Sequence, residues 1–219
     1  KGVYIKDESK RFGLNAFKAL GASYAIHKLF PDGNVGLTVT ATDGNHGKGM
    51  AWSTHRLGGH AVVFMPAGTV ASRVEAIRAI GDTEVTVTDL NYDGTVATAA
   101  AYAKEHGGHL VQDTAFAGYE EVPENITLGY STMAAEALEE LAALGVGEPT
   151  HTFLQAGVGS MAGGVAAYLA ETCKNPPAMA VVEAWESACV LESIRQGRLV
   201  TIEGHTQTSM AGLNCGTPN

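Results

Sequence analysis

Short β-branched runs alternate with stretches of helical apolar spacing along almost the whole chain, and that alternation admits few folds. The run from Leu37 to Thr42 reads as a strand, and after Asp43-Gly44-Asn45 a helix continues through Met50 and Trp52 to His55. Ala61 to Pro66 is a second run, followed by a helix from Ser72 to Ile80 with Val74, Ile77 and Ile80 on one face. Thr83 to Val87, an Ala-rich helix from Gly94 to Glu105, and His109 to Gln112 continue the series. Strands that alternate with helices in this way build a parallel sheet covered on both faces. The second half repeats the alternation, with a helix from Tyr130 to Leu144, a strand from His151 to Gln155, a glycine-rich turn, a helix through Leu169, and a strand from Met179 to Glu183. Lys1 to Lys6 reads as an opening strand and Asn15 to Phe30 as a helix. The expected class is α/β, with two doubly wound open sheets of mostly parallel strands.

Composition excludes several functions. With 14 Lys+Arg against 23 Asp+Glu the net charge is −9, which argues against nucleic acid or an anionic membrane as partner. No stretch is apolar over the roughly 18–20 residues that a membrane span needs. The three cysteines, Cys173, Cys189 and Cys215, show no metal-ligand spacing and read as thiols of a reducing, cytoplasmic compartment, with a Cys189–Cys215 bridge conceivable. His106 and His109 flank a Gly-Gly turn without further ligands, so no metal is expected. The chain starts without Met and stops without a terminal helix, and is expected to be a piece of a longer protein.

Two local features carry chemistry. The turn from Gly157 through Val158, Gly159, Ser160 and Met161 lies between a strand and a helix N-terminus, where exposed N–H groups and the helix dipole favour a phosphate. A dinucleotide fingerprint would place a third glycine at Ala162 and an acidic residue near Glu183, which keeps a nicotinamide-dependent oxidoreductase open as an alternative. Lys18, at the start of a helix beside Phe17, sits where the dipole repels a cation and favours the neutral amine that attack on a carbonyl requires; as plain structure it would be a surface lysine.

The order of motifs resembles the fold-type II pyridoxal-phosphate enzymes: Lys6-Asp7-Glu8, Asn15-Ala16-Phe17-Lys18, Thr42-Asp43-Gly44-Asn45-His46-Gly47, and the glycine loop from 157. Within that group the wording is similar to the diaminopropionate ammonia-lyases, in the run from Lys6 to Lys18, in Asp43 before Gly44-Asn45-His46-Gly47, and in Gln112-Asp113-Thr114-Ala115. The resemblance implies pyridoxal 5′-phosphate as cofactor, held covalently by Lys18, with Asn45 bonded to the ring's 3′ oxygen and residues 157–161 on the phosphate. It implies a larger cofactor-binding domain from residues 1–35 and 115–219, a smaller α/β domain from 36–114, and a C-terminal part of the fold missing here. The loop between the lysine helix and Leu37 is shorter than the resemblance leads one to expect.

The implied reaction is α,β-elimination of D- and L-2,3-diaminopropionate to pyruvate and two ammonia, by a cytoplasmic homodimer acting on a small amino acid. Serine and threonine dehydratases, the alternative within the group, resemble the chain but carry Ser or Ala at the position of Asp43. A carboxylate there would repel the substrate's own carboxylate and suits an extra amine or a base; as plain structure it would be a helix N-cap. Asp113, after a strand's carboxyl end, is implied as a second acid near the substrate amine. His46 reads as a packed neighbour of the site.

Overall fold

The computed structural model describes residues 2–202 and 208–219. The chain falls into two compact units, Lys1–Gly129 and Tyr130–Asn219.

The first unit is built on a four-stranded sheet of β1 (Leu37–Ala41), β2 (His60–Met65), β3 (Thr83–Val87) and β4 (His109–Leu110). All pairings are parallel, and the order across the sheet is β3-β2-β1-β4. Helices α2 (Asn45–Arg56), α3 (Ala71–Arg78) and α4 (Tyr92–Glu105) are the crossovers between successive strands. Side chains alternate across the pleat, so each strand feeds two cores. Val39, Ala41, Val62 and Phe64 pack with Ala99 and Ala103 of α4. Thr38 turns the other way, where its hydroxyl meets Thr54 of α2 at 2.7 Å. Strands β1 and β2 are buried on both faces, as the centre of a parallel sheet requires. The expectation of a doubly wound sheet holds.

Helix α1 (Lys18–Leu29) packs on α2, and α5 (Glu121–Ala143) leaves this unit through Gly129, where a β-carbon would lie within 3 Å of the backbone of Leu20 and Gly21. In the second unit β5 (His151–Gln155) and β6 (Ala178–Val182) pair in parallel, linked by α6 (Ser160–Thr172) and followed by α7 (Cys189–Gln196). Phe153 and Val182 on this two-stranded sheet are exposed.

Among the boundaries that differ from those the sequence leads one to expect, four stand out. Residues 2–6 form no strand; among the described residues no strand pairs with them, and Val3 and Ile5 lie exposed. Helix α1 begins at Lys18, because Asn15 adopts a left-handed φ of 58°, a conformation Asn tolerates. Helix α5 starts at Glu121 instead of Tyr130: Pro123 falls in the first turn, where its missing N–H would bond nothing, and Glu121 and Glu124 suit the positive end of the dipole. Strand β4 stops at Leu110, since after the Val111 N–H bonds the Val39 carbonyl, the Gln112 N–H turns to the Tyr119 hydroxyl.

Candidate active site

The strand order determines where a ligand can enter. From β1 the chain winds outward to β2 and β3, then returns to place β4 on the other side of β1. Between β1 and β4 the winding reverses, and at such a switch point the loops leaving the carboxyl ends of the two strands part and open a crevice. The segments at that position are Thr42 to His46 and Val111 to Asp113, which hold Asp43, Asn45, His46 and Asp113, all singled out in the sequence.

Lys18 is the first residue of α1 and reaches Asp113. Its Nζ donates to Asp113 Oδ2 at 2.6 Å, across 95 residues of sequence, with both side chains mostly buried. Nζ also stands 5.9 Å from the centre of the Phe17 ring. The position of Lys18 depends on Gly49. A β-carbon there would lie 2.7 Å from the Ala19 nitrogen and 2.8 Å from the Lys18 carbonyl carbon, so α1 and α2 touch backbone to backbone. Ser53 Oγ donates to the Gly49 carbonyl and approaches Ala19 O, on the same contact.

Asp113 lies between the Lys18 amine and the His46 ring. Burial pushes its carboxyl up, but His46, Lys18 and the Lys18 hydrogen bond outweigh burial and hold it well below the usual range. His46 is buried, with Nε2 2.7 Å from the Val111 carbonyl and Nδ1 3.5 Å from Asp113 Oδ2. Burial, and secondarily the Lys18 charge, push its imidazolium form down against the pull of Asp113. The counter-charge to Asp113 is therefore Lys18, beside a neutral imidazole.

Asp43 and Asn45 stand at the N-terminus of α2, both exposed. Asp43 does not cap the helix. Thr42 does so: its buried hydroxyl accepts the Gly44 N–H at 3.0 Å and the Gly47 N–H at 3.2 Å. The Asp43 carboxylate is left solvated, 3.8 Å from Arg73 Nη1, and Arg73 also donates to the Asp43 carbonyl.

Sequence reasoning missed the residues that aim Asp113. Gln112 is fully buried; its Oε1 accepts from the Thr40 hydroxyl and the Ala41 N–H, and its Nε2 donates to the Tyr92 hydroxyl. Tyr119 donates to the Leu110 carbonyl and accepts the Gln112 N–H, and burial holds its phenol un-ionised. Together they replace the ladder bonds that β4 lacks and hold the segment that presents Asp113. The sequence offered Gln112 only as the last residue of a strand and as a neighbour of Asp113 in the Gln112-Asp113-Thr114-Ala115 motif.

In the second unit the glycine loop has the shape of an anion cradle. Gly159, the residue before α6, has φ of 101°, which L side chains rarely adopt. Among the described residues the N–H groups of Val158, Gly159, Ser160 and Met161 meet no acceptor, and the helix dipole adds positive potential there. Ser160 Oγ accepts from Asn219 Nδ2, and the Val158 carbonyl accepts the Asn219 N–H. Glu183, the candidate acid of a dinucleotide site, accepts the N–H groups of Val190 and Leu191 at the start of α7. The first unit thus holds a lysine amine paired with a carboxylate, and the second an N–H cradle shaped for an anion such as a phosphate; no cluster of potential metal ligands occurs among the described residues.

All of the chain, residues 1–219, matches the family described as pyridoxal-phosphate dependent enzyme, and the chain belongs to that family. Diaminopropionate ammonia-lyase of Escherichia coli K12 is 44% identical over 238 aligned positions, covering 100% of this chain and 59% of that protein. A crystal structure of the Escherichia coli diaminopropionate ammonia-lyase, in complex with an aminoacrylate–pyridoxal phosphate azomethine reaction intermediate, superposes with a TM-score of 0.85 at 45% identity, covering 97% of this chain and 56% of that one. L-threonine dehydratase of Haemophilus influenzae is more distant, 31% identical over 89% of this chain and 35% of its own length. The chain thus spans 59% of the ammonia-lyase it matches, and that alignment is longer than the chain, so the relative carries internal residues absent here.

Proposed function

We propose that this chain belongs to an ammonia-lyase that converts 2,3-diaminopropionate and water to pyruvate and two ammonia, with pyridoxal 5′-phosphate as cofactor. The observation that carries the reading is the Lys18–Asp113 pair at the β1/β4 switch point, beside a helix N-terminus where Asp43 is free of any capping duty. On this reading Asp43 and Asp113 both face the substrate, and two carboxylates favour a substrate with a second cationic amine. Identity to ammonia-lyases over the full chain supports the same choice over a dehydratase.

Bound pyridoxal phosphate supplies an electron sink for the substrate carbon next to the carboxylate. Lys18 holds the cofactor through its amine and moves a proton at that carbon. Asp43 is a second base for the same proton, which lets both enantiomers react. Asp113 orients Lys18 and accepts the substrate amine. Asn45 donates to the ring's phenolic oxygen, and the N–H groups of residues 157–161 hold the phosphate. Residues 1–35 with 115–219 form the larger, cofactor-binding domain and 36–114 the smaller. The protein works in the cytoplasm as a homodimer; no helix among the described residues is long and apolar enough to cross a membrane.

The deciding experiment is pyruvate release by the full-length protein with added cofactor, from D- and L-2,3-diaminopropionate, L-serine and L-threonine. Turnover of both diaminopropionate enantiomers is expected, with Asp43→Asn slowing the D-form most. Turnover of serine or threonine alone would move the protein to the dehydratases.

A further inference from the structure

His46 faces a carboxylate that it does not bond. The Val111 carbonyl can only accept, so Nε2 carries the hydrogen and Nδ1 is left to look toward Asp113. Nδ1 is buried and makes no hydrogen bond to any described residue. The atom it faces at 3.5 Å, Asp113 Oδ2, is the one that Lys18 Nζ approaches to 2.6 Å. Two groups able to carry a proton therefore compete for a single buried oxygen, and in this arrangement Lys18 holds it. An orphaned buried nitrogen costs free energy, so its persistence needs a state in which it is satisfied.

We propose that His46 takes up a proton on Nδ1 whenever Lys18 no longer offers Asp113 its ammonium, so that the carboxylate is never buried without a cationic partner. His46 is then a positioning residue that acts through Asp113. For its part in turnover the proposal rests on the reading of Lys18 as the residue that binds the cofactor aldehyde; the exchange of partners itself does not.

The surroundings leave few other sources of charge. A buried carboxylate without a counter-charge is costly, and the nearest group able to supply one is Nδ1, a small ring movement from hydrogen-bond distance. Tyr119, the other titratable group beside Asp113, has its hydroxyl engaged with Leu110 and Gln112 and cannot supply positive charge. The charged groups acting on His46 from the packed elements are Asp113, after β4, and Lys18, on α1. Removing the Lys18 charge leaves the attraction of Asp113 unopposed.

The test is nitrogen-15 NMR of the histidine rings in the full-length protein, with the His46 resonances assigned by comparison with His46→Gln. Without cofactor, the wild type should show the neutral Nε2–H form at neutral pH. In Lys18→Met the midpoint should rise by about one pH unit or more, a tenfold gain in proton affinity. That rise should vanish in Lys18→Met with Asp113→Asn. An unchanged midpoint in Lys18→Met, or a rise that survives Asp113→Asn, overturns the proposal. Loading the wild type with pyridoxal phosphate, followed by visible absorption, gives a second measurement should the variant fail to fold: His46 must move in the same direction. Absence of cofactor absorption would count against the cofactor reading and leave the variant comparison to decide the role of His46.

Discussion

Gly49→Ala tests whether the placement of Lys18 rests on a backbone contact. The added methyl would stand 2.7 Å from the Ala19 nitrogen, 2.8 Å from the Lys18 carbonyl carbon and 3.0 Å from Ala19 Cα. All three are main-chain atoms of the first turn of α1, so no rotamer change relieves them. Ordinary contact would need α1 to retreat by roughly 0.5–1 Å, at an overpacking cost of about 1–3 kcal/mol. Alanine in a helix interior returns about 1 kcal/mol of propensity, so the net loss of stability should be only about 0–2 kcal/mol. The effect on the site should be larger, because a shift of that size carries Lys18 away from its 2.6 Å contact with Asp113. A misplacement near 1 Å can lower turnover by about a hundredfold. Urea unfolding, cofactor titration by visible absorption and pyruvate release, all on the full-length protein, separate the two. Wild-type turnover and cofactor affinity, together with a stability gain of about 1 kcal/mol, would refute the reasoning. Gly163→Ala is the matched control for propensity, since a β-carbon there meets nothing within 4 Å.

Thr42→Val removes the acceptor for two N–H groups at the start of α2 and should lower stability by about 1–2 kcal/mol in denaturant titration; a change under about 0.3 kcal/mol would mean that other acceptors cap this helix. Gly159→Ala must hold a side chain at φ of 101°, at a cost of about 1–2 kcal/mol, and should weaken cofactor binding roughly tenfold through the tilted N–H groups; unchanged affinity by absorption titration would remove the loop from the phosphate site. The carboxyl of Asp113 is held below its unfolded value, so its pairing stabilises the fold fully above about pH 4 and is lost as pH falls further. Asp113→Asn should therefore flatten the decline in stability below about pH 4 while lowering stability at neutral pH by about 1–2 kcal/mol, and an acid limb identical to the wild type would show that other carboxylates carry it.

The strands β1, β2, β3 and β5 could be read nearly to the residue because a strand in a parallel sheet demands a run of apolar and β-branched side chains, a local property. The N-terminus of α5 could not, since Pro123 normally signals a break and only its place in the first turn makes it harmless. The Lys18–Asp113 contact joins residues 95 apart and exists only because β4 pairs with β1, a pairing that no local pattern records. For the same reason Gln112 looked like the last residue of a strand. In the fold it is a buried bridge whose amide takes the place of a missing strand residue. Lys18, by contrast, could be singled out only through the order of motifs around it, since a cation near the start of a helix conflicts with the dipole but a plain surface lysine explains that equally well.

The turn after β1 shows how a site residue and a structural residue can be told apart. A Thr-Asp-Gly-Asn sequence before a helix offers three side chains able to cap, and sequence alone assigns the duty to any of them. The structure gives it to Thr42, whose hydroxyl is buried against α2 and accepts from both Gly44 and Gly47. Asp43 then has no structural duty: its carboxylate is 71% exposed, and an exposed partner such as Arg73 at 3.8 Å contributes little to stability. A fold indifferent to the side chain at position 43 leaves that position to chemistry. Ser, Ala or Asp can follow the capping threonine without disturbing the helix, and it is this freedom that the proposed role of Asp43 uses: under that reading a change at position 43 alters the substrate while the cap and the sheet stay as they are.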